Sequence, residues 1–305
     1  MDEQIVCERE VFAVAVSRDS RWVITGGGYD DSDDPGELKA YEVETRTMKK
    51  FEGHSDTVGC VDISVDNKLL ASGSRDPMAW IWDLNTGKLV AGPFKCPGIM
   101  GAVRFSQDSK KLAVKSGIHG RCLEVWDIQA QKLDGRVGKG GGGMWPDTPV
   151  FWTMGDRRRA SDEEIHGLGG SIVAAFSFDT HESPLFDGPT TIYEFDSSML
   201  ETVGAPFEGH TSRIAGLALS FDCALLASSS GYYNTIKLWP AFESRQLLAS
   251  FDVHNPRILI LSPNSRQLAY TTFDTSGIHV YDIPPDILAR IWPEQATSSV
   301  CIFDA

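Results

Sequence analysis

The sequence has no apolar stretch that approaches the roughly 20 residues needed for a helix to span a bilayer. Its first residues, Met-Asp-Glu-Gln, are acidic and do not have the cationic and then apolar profile of a signal peptide. We therefore expect no membrane segment, no secretory leader and a cytoplasmic location, with the nucleus as the alternative.

Closely spaced cysteines are also missing. The six cysteines are scattered, and no two of them form a C-x-x-C pair. Zinc sites typically use such closely spaced ligands, so we predict no metal site. Cys60 and Cys223 lie in or beside apolar strand runs, where buried free thiols are common. A reduced, intracellular compartment fits this pattern best, although an even number of cysteines leaves disulfides open.

Positive charge is scarce. The 305 residues include 28 Lys and Arg against 42 Asp and Glu, which gives a formal net charge of −14. A net negative charge of this size disfavours binding to phosphate backbones and to anionic membranes, and it favours binding to basic partners. We therefore predict a protein or peptide partner, with basic character favoured, and no nucleic acid. The apolar share of 42% is large enough for a buried core.

Catalytic signatures are missing as well. The sequence has no G-x-S-x-G and no H-E-x-x-H motif. Residues 138–143 contain a G-x-G-x-x-G pattern, but the following Met-Trp-Pro-Asp-Thr-Pro predicts no helix, which a dinucleotide site requires. We therefore predict a protein that is not an enzyme and that has no cofactor.

A repeated pair is the main feature that the sequence does contain. An aromatic residue followed by an acidic or turn residue recurs at intervals of 41, 44, 69, 44 and 42 residues. The aromatic residues are Tyr41, Trp82, Trp126, Phe195, Trp239 and Tyr281. In phase with them, Ser-x-Asp or Ser-x-Asn follows a short β-like run at Ser17, Ser64, Ser106, Ser220 and Ser262. A period of about 40–45 residues is typical of a four-stranded propeller blade.

The repeat predicts an all-β single domain with six units. Their approximate boundaries are 9–51, 52–94, 95–137, 138–207, 208–251 and 252–292. The 69-residue interval is too short for two blades, so it predicts one blade with insertions. Residues 4–7 within 1–8 resemble a fourth strand that closes the last blade, and residues 287–291 compete for that role. In the tail, 293–305, residues 299–303 are a candidate first strand of a curtailed seventh blade.

Over nearly its whole length the chain resembles the WD40-repeat β-propellers. Besides the Trp-Asp pairs, Gly53-His54 and Gly209-His210 stand at the distance before the aromatic residue that the family shows. Residues 207–211, 225–230 and 283–288 are similar to fungal WD40 proteins, some of which are associated with NACHT-type NTPase modules. The resemblance implies a WD40 β-propeller of six four-stranded repeats, or of seven blades if a degenerate or truncated blade completes the ring.

The resemblance also implies a buried set of hydrogen-bonded side chains in each complete blade. The second unit matches this set fully, with His54, Ser72, Asp76 and Trp82. The fifth unit matches it at His210, Ser228 and Trp239, but Tyr233 stands where the family has an aspartate. The family assigns these side chains a structural role, because a buried imidazole needs partners for both ring nitrogens.

In WD40 rings the loops that enter a first strand and those that join second to third strands share one face. That face would gather the candidate partner-binding residues Tyr29, Asp30, Asp31, Trp145, Phe186, Tyr232 and Tyr233. Aromatic residues within partly charged surfaces make good interface anchors. Burial of these aromatic side chains against the loops themselves is an equally strong alternative.

The function that follows is a non-catalytic scaffold or adaptor that binds a peptide or protein on one face. A sensor or recognition domain of a larger signalling assembly is the alternative. An enzyme with a site at the central channel is less favoured, because the predicted inner strands are mainly apolar.

Overall fold

The computed structural model describes residues 9–28, 35–117, 121–139, 149–153, 170–178, 188–231, 234–241, 245–274 and 277–292. These residues form six antiparallel sheets that follow one another in chain order, and one short helix. The structure therefore confirms the prediction of an all-β fold with six propeller-type repeats.

The first three sheets each have four strands in sequential order. Sheet 1 contains β1 (Glu10–Val16), β2 (Trp22–Gly28), β3 (Glu37–Glu42) and β4 (Met48–Phe51). Sheet 2 contains β5 (Val58–Ile63), β6 (Leu69–Ser74), β7 (Met78–Asp83) and β8 (Leu89–Lys95). Sheet 3 contains β9 (Met100–Phe105), β10 (Lys111–Ser116), β11 (Cys122–Asp127) and β12 (Lys132–Gly138).

The last three sheets are less uniform within the described residues. Sheet 4 contains β13 (Val150–Trp152), β14 (Ser171–Phe176) and β15 (Thr191–Asp196). Sheet 5 contains β16 (Ile214–Leu219), β17 (Leu225–Ser230), β18 (Thr235–Pro240) and β19 (Ala249–Asp252). Sheet 6 contains β20 (Pro256–Leu261), β21 (Gln267–Thr272) and β22 (Ile278–Asp282), and helix α1 (Pro285–Ile291) follows it.

The Ser-x-Asp pattern of the sequence forms the turn between the first and second strands of a sheet. In sheet 2 the Ser64 hydroxyl donates to Oδ1 of Asp66 at 2.7 Å and accepts from the backbone N–H of Leu69 at 2.8 Å. The residue after the acidic one is left-handed, as at Asn67 with φ 58°. The same pair of side-chain bonds recurs in four further sheets, at Ser17, Ser106, Ser220 and Ser262.

Apolar clusters lie between successive sheets within two compact units. The first unit contains sheets 1 to 3 and part of sheet 4, and the second contains the rest of sheet 4 with sheets 5 and 6. In the first unit, Ile24 and Leu70 belong to a cluster shared by sheets 1 and 2, and Ile81 and Leu112 to one shared by sheets 2 and 3. In the second unit, sheets 5 and 6 share a cluster with α1.

Two predictions about strands need correction. Residues 287–291, predicted as a competing closing strand, lie in α1, which has a proline at its start and Asp286 in its first turn. Proline suits a helix start because the backbone N–H that it lacks has no intrahelical acceptor there, and an acidic side chain there interacts favourably with the helix dipole. The predicted fourth strand of the fourth repeat is reduced to two isolated bridges, Phe195 to Thr202 and Ile192 to Phe207.

Candidate interaction site

The four side chains predicted as a set in the second repeat lie within hydrogen-bonding distance of one another. Nδ1 of His54 is 2.9 Å from Oδ2 of Asp76, and Nε2 is 2.8 Å from the Ser72 hydroxyl. Because a carboxylate only accepts, Nδ1 of His54 donates to Asp76. The indole N–H of Trp82 donates to the same hydroxyl at 3.0 Å. The set therefore links β6, β7, the segment before β5 and the β6–β7 turn.

Asp76 is ionised in this arrangement. Burial by itself raises its pKa, but the hydrogen bond and charge of His54 and the backbone N–H groups of Ser55 and Met78 outweigh burial and lower it. The carboxylate thereby fixes the turn as well as the imidazole. The side chains of His54 and Asp76 are 2% and 7% exposed, so both are largely removed from solvent.

The corresponding set in sheet 5 is shorter. Nε2 of His210 is 2.7 Å from the Ser228 hydroxyl, which also accepts from the indole N–H of Trp239 at 2.8 Å. Nδ1 of His210 is buried and has no hydrogen-bond partner among the described residues. Burial, with a smaller contribution from Lys237, lowers the pKa of His210 to about 4. His210 is therefore neutral at neutral pH. Within the described residues, only its Nε2 takes part in the chain of hydrogen bonds.

A partly buried ion pair joins sheets 2 and 3, and the sequence did not reveal it. Oδ1 of Asp62 accepts from Arg104 at 2.8 Å, and Oδ2 accepts from the backbone N–H of Phe105 at 2.7 Å. Burial raises the pKa of Asp62 although Arg104 and these hydrogen bonds oppose the rise. No local motif marks the pair, because its members are 42 residues apart.

The two kinds of loop predicted to share a face are hydrogen-bonded to each other in three of the sheets. In sheet 2, Arg75 N–H in the β6–β7 turn donates to the carbonyl of Thr57 before β5 at 3.0 Å. In sheet 3, Gly117 N–H donates to the carbonyl of Ile99 at 3.0 Å. In sheet 6, Phe273 N–H donates to the carbonyl of Asn255 at 3.0 Å. In each of these sheets the entry loop and the second-to-third loop emerge at the same end.

The predicted partner-binding residues belong to the same two kinds of connection, but in repeats 1, 4 and 5, and they lie outside the described residues. Tyr29, Asp30 and Asp31 belong to the β2–β3 connection, and Trp145 to the segment that enters β13. Phe186 belongs to the β14–β15 connection, and Tyr232 and Tyr233 to the β17–β18 connection.

An open pocket of about 430 Å³ lies within the second unit, between sheets 5 and 6. Phe251 of β19 lines it from one side, and Leu268, Tyr270 and Tyr281 of sheet 6 line it from the other. No candidate site had been predicted here. The described residues contain no group of three His, Cys, Asp or Glu side chains arranged to hold a metal ion. No helix in the described part of the chain is long and apolar enough to cross a bilayer.

The antiparallel four-stranded sheets and the buried tryptophan–serine–histidine sets define a repeat protein of the β-propeller class. The WD40 family model, described as WD domain, G-beta repeat, matches residues 45–83 and 201–240. These segments contain Trp82 and Trp239, the tryptophans of the two sets. These matches and the WD-repeat relatives support a WD40 β-propeller family for this chain.

Three relatives illustrate the range of similar proteins. The chain is 26% identical over 242 residues to Periodic tryptophan protein 2 of Arabidopsis thaliana, covering 78% of this chain and 24% of that protein. It is 25% identical over 259 residues to U3 small nucleolar RNA-associated protein 15 homolog of Xenopus laevis, and this match covers 79% of this chain and 43% of that protein. It is 34% identical over 106 residues to NACHT domain- and WD repeat-containing protein 1 of Homo sapiens, and this match covers 33% of this chain and 6% of that protein. The chain spans less than half the length of each of these relatives.

Proposed function

We propose that this chain is a non-catalytic interaction module that binds a peptide or protein segment at the loop end of its sheets. The hydrogen bonds that join the entry loop to the second-to-third loop carry the proposal, as between Arg75 and Thr57. They support placing both kinds of loop at one end of a sheet, and the corresponding connections of sheets 1, 4 and 5 contain the candidate partner-binding residues. Loops on a rigid scaffold vary without disturbing the core, so they suit recognition.

The nature of the partner follows from charge and side-chain chemistry. The net charge of −14 and the acidic pair Asp30 and Asp31 favour a segment rich in Lys or Arg. Trp145 and the two adjacent tyrosines, Tyr232 and Tyr233, supply the large amphipathic side chains on which such interfaces depend. We propose a basic peptide or protein as the ligand and no direct contact with nucleic acid, in a cytoplasmic or nuclear location.

Affinity purification followed by mass spectrometry tests this proposal. Wild type is compared with a variant that carries Trp145→Ala and Tyr232→Ala, and with Phe221→Ala as a matched control. Phe221 is 68% exposed but lies in the Ser-x-Asp turn at the other end of sheet 5. Proteins recovered by wild type and Phe221→Ala but not by the double variant are the expected result. Equal recovery by all three, with normal folding, contradicts the proposal.

A parallel purification with ribonuclease separates protein from RNA partners. One relative is called RNA-associated, so an RNA-bridged association is the outcome to exclude. Recovery that survives ribonuclease supports a protein ligand, and recovery that disappears contradicts it. A metal analysis and a broad hydrolase screen test the less favoured enzyme alternative in the same preparations.

The second candidate is a recognition domain of a larger signalling protein. The similarity to a NACHT- and WD repeat-containing protein favours it, because only 6% of that protein is covered. Identification of a longer natural polypeptide that contains this sequence, by intact-mass analysis of the native protein, distinguishes this candidate from a free-standing scaffold.

A further inference from the structure

Sheet 6 contains counterparts of the buried set of sheet 2, but they are arranged differently. The strand registers place Tyr270 in the position of the serine and Tyr281 in that of the tryptophan. His254 and Asp274 still form a histidine–aspartate pair, with Nδ1 2.8 Å from Oδ2, but their side chains are 77% and 46% exposed. The corresponding side chains of sheet 2 are 2% and 7% exposed. The imidazole of sheet 6 therefore lies largely in solvent.

Aromatic side chains line the open pocket between sheets 5 and 6. The rings of Phe251 and Tyr281 are tilted against each other, with centroids 4.9 Å apart, and Tyr270 also lines the pocket. Ile236 and Leu268, each 1% exposed, belong to the apolar part of the lining. Three aromatic side chains thus surround a space of about 430 Å³.

The charge of the lining is negative. Of the eight residues that line the pocket, Asp252 is the one that carries a charge. Asp252 is exposed, and its side chain has no hydrogen bond or ion pair among the described residues. Lys237 does not line the pocket, and its ammonium group donates to the hydroxyl of Ser250 at 3.3 Å. The pocket therefore favours a cation, because the faces of aromatic rings are negative and the carboxylate is unpaired.

An arginine of the chain itself, in the second unit, shows which cation suits such a ring. Phe207 and Phe251 are equivalent, since each follows the repeat aromatic of its own sheet by twelve residues and packs on that of the next sheet. The guanidinium of Arg245 lies over the ring of Phe207, 5.2 Å from its centroid. Within the described part of the chain, no lysine or arginine takes this position over Phe251, and Arg290 instead donates to the carbonyl of Leu248 at 3.2 Å.

We propose that the pocket between sheets 5 and 6 binds an arginine side chain of a partner protein. The guanidinium lies over the ring of Phe251, as that of Arg245 lies over Phe207, and the carboxylate of Asp252 accepts hydrogen bonds from its N–H groups. A guanidinium suits this pocket better than an ammonium group, because it is planar, stacks on aromatic rings and is more weakly hydrated. The site is separate from the loop residues of the proposed function and does not depend on them.

NMR titration of the full-length protein, with isotope-labelled tyrosine, tests the site with a defined probe. N-acetyl-arginine amide is expected to shift the ring signals of Tyr270 and Tyr281. N-acetyl-citrulline amide, which has nearly the same shape but no charge, is expected to bind about tenfold more weakly. Equal binding of the two probes, or no shift of these tyrosines with the arginine probe, overturns the proposal. Shifts with N-acetyl-tryptophan amide in place of the arginine probe also overturn it, because they assign the pocket to an aromatic ligand.

Two variants at exposed aspartates test the role of the carboxylate in the same titration. Asp252→Asn is expected to weaken binding of the arginine probe about tenfold, because charge-assisted hydrogen bonds are lost. Asp282→Asn is the matched control, since Asp282 follows the lining residue Tyr281 but does not line the pocket, and it is expected to leave binding unchanged. Equal weakening by the two changes, or weakening by neither, overturns the proposal. The variant with Trp145→Ala and Tyr232→Ala is expected to bind the probe as wild type does, so failure of this site and failure of the proposed function are distinguishable.

Discussion

Nδ1 of His54 lies 2.9 Å from Oδ2 of Asp76, whereas the corresponding nitrogen of His210 has no partner among the described residues. Two sheets of one chain therefore contain the same Trp–Ser–His arrangement with different ends. In sheet 2 the chain of hydrogen bonds ends on a carboxylate, and in sheet 5, within the described part of the chain, it ends on a ring nitrogen that has no partner. The two sets allow the contribution of the aspartate to be measured within one protein.

Asp76→Ala is expected to lower the free energy of unfolding by about 1–3 kcal/mol, because it leaves a buried imidazole N–H without an acceptor. Asp76→Asn is the matched control, since its amide oxygen still accepts from Nδ1. Urea denaturation at pH 7 measures both variants. Similar losses for the two substitutions would show that the acceptor is not what matters.

The protein is expected to become less stable as the pH is lowered, because His210 becomes protonated. Its folded pKa is about 4, below the usual 6.5, because burial disfavours the charged ring. As the pH falls below 6.5 the unfolded chain binds a proton before the folded protein does, so this contribution is complete above 6.5 and is lost between 6.5 and 4. Between pH 7 and pH 5 the loss is about 2 kcal/mol. Urea denaturation of wild type and His210→Gln at both pH values measures it, and parallel losses in the two proteins contradict the assignment.

Gly216→Ala is expected to destabilise the contact between sheets 5 and 6. A Cβ atom at position 216 would lie 2.0 Å from the carbonyl oxygen of Arg257 on β20, and this backbone group can move away only if the sheets separate. Such strain typically costs about 1–3 kcal/mol. At Gly59 in β5 the nearest atom lies at 3.6 Å, so Gly59→Ala is the matched control. Thermal unfolding of the two variants measures the difference, and equal melting temperatures refute the expectation.

The buried thiols are expected to resist alkylation in the folded protein. Burial, with a contribution from Glu124, raises the pKa of Cys122 to about 11, and burial also raises the pKa of Cys96. Because the thiolate is the reactive form, labelling of Cys122 by iodoacetamide at pH 8 is expected to be roughly a hundredfold slower than in urea. Mass spectrometry of tryptic peptides follows the reaction. Equal rates in folded and unfolded protein would contradict burial at this site.

The features that were predictable from sequence are those encoded within one repeat. The spacing of His54, Ser72 and Trp82 fits the repeat period, and the Ser-x-Asp pattern defines a turn whose hydrogen bonds close within six residues. Both follow from local chain geometry. The same reasoning missed Phe94, Phe207 and Phe251, each of which follows the repeat aromatic of its own sheet by twelve residues and packs on the repeat aromatic of the next sheet.

Other features were not predictable because they depend on long-range contacts or on ambiguous local preference. The pairing of Asp62 with Arg104 requires the registers of two neighbouring sheets, which no single repeat specifies. Residues 287–291 form an apolar run compatible with a strand, and the neighbouring cluster of sheets 5 and 6 favours a helix because it receives Ile287. Periodicity cannot distinguish the two structures over so short a run.

The five Ser-x-Asp and Ser-x-Asn turns have a bearing on the order in which the chain folds. Each closes through contacts between residues at most five positions apart, with a left-handed residue such as Asn67 at its corner. A hairpin can therefore nucleate in every repeat while its neighbours are still unstructured, at little cost in loop-closure entropy. Assembly then becomes the docking of preformed hairpins, and damage to one turn delays its own repeat more than the others.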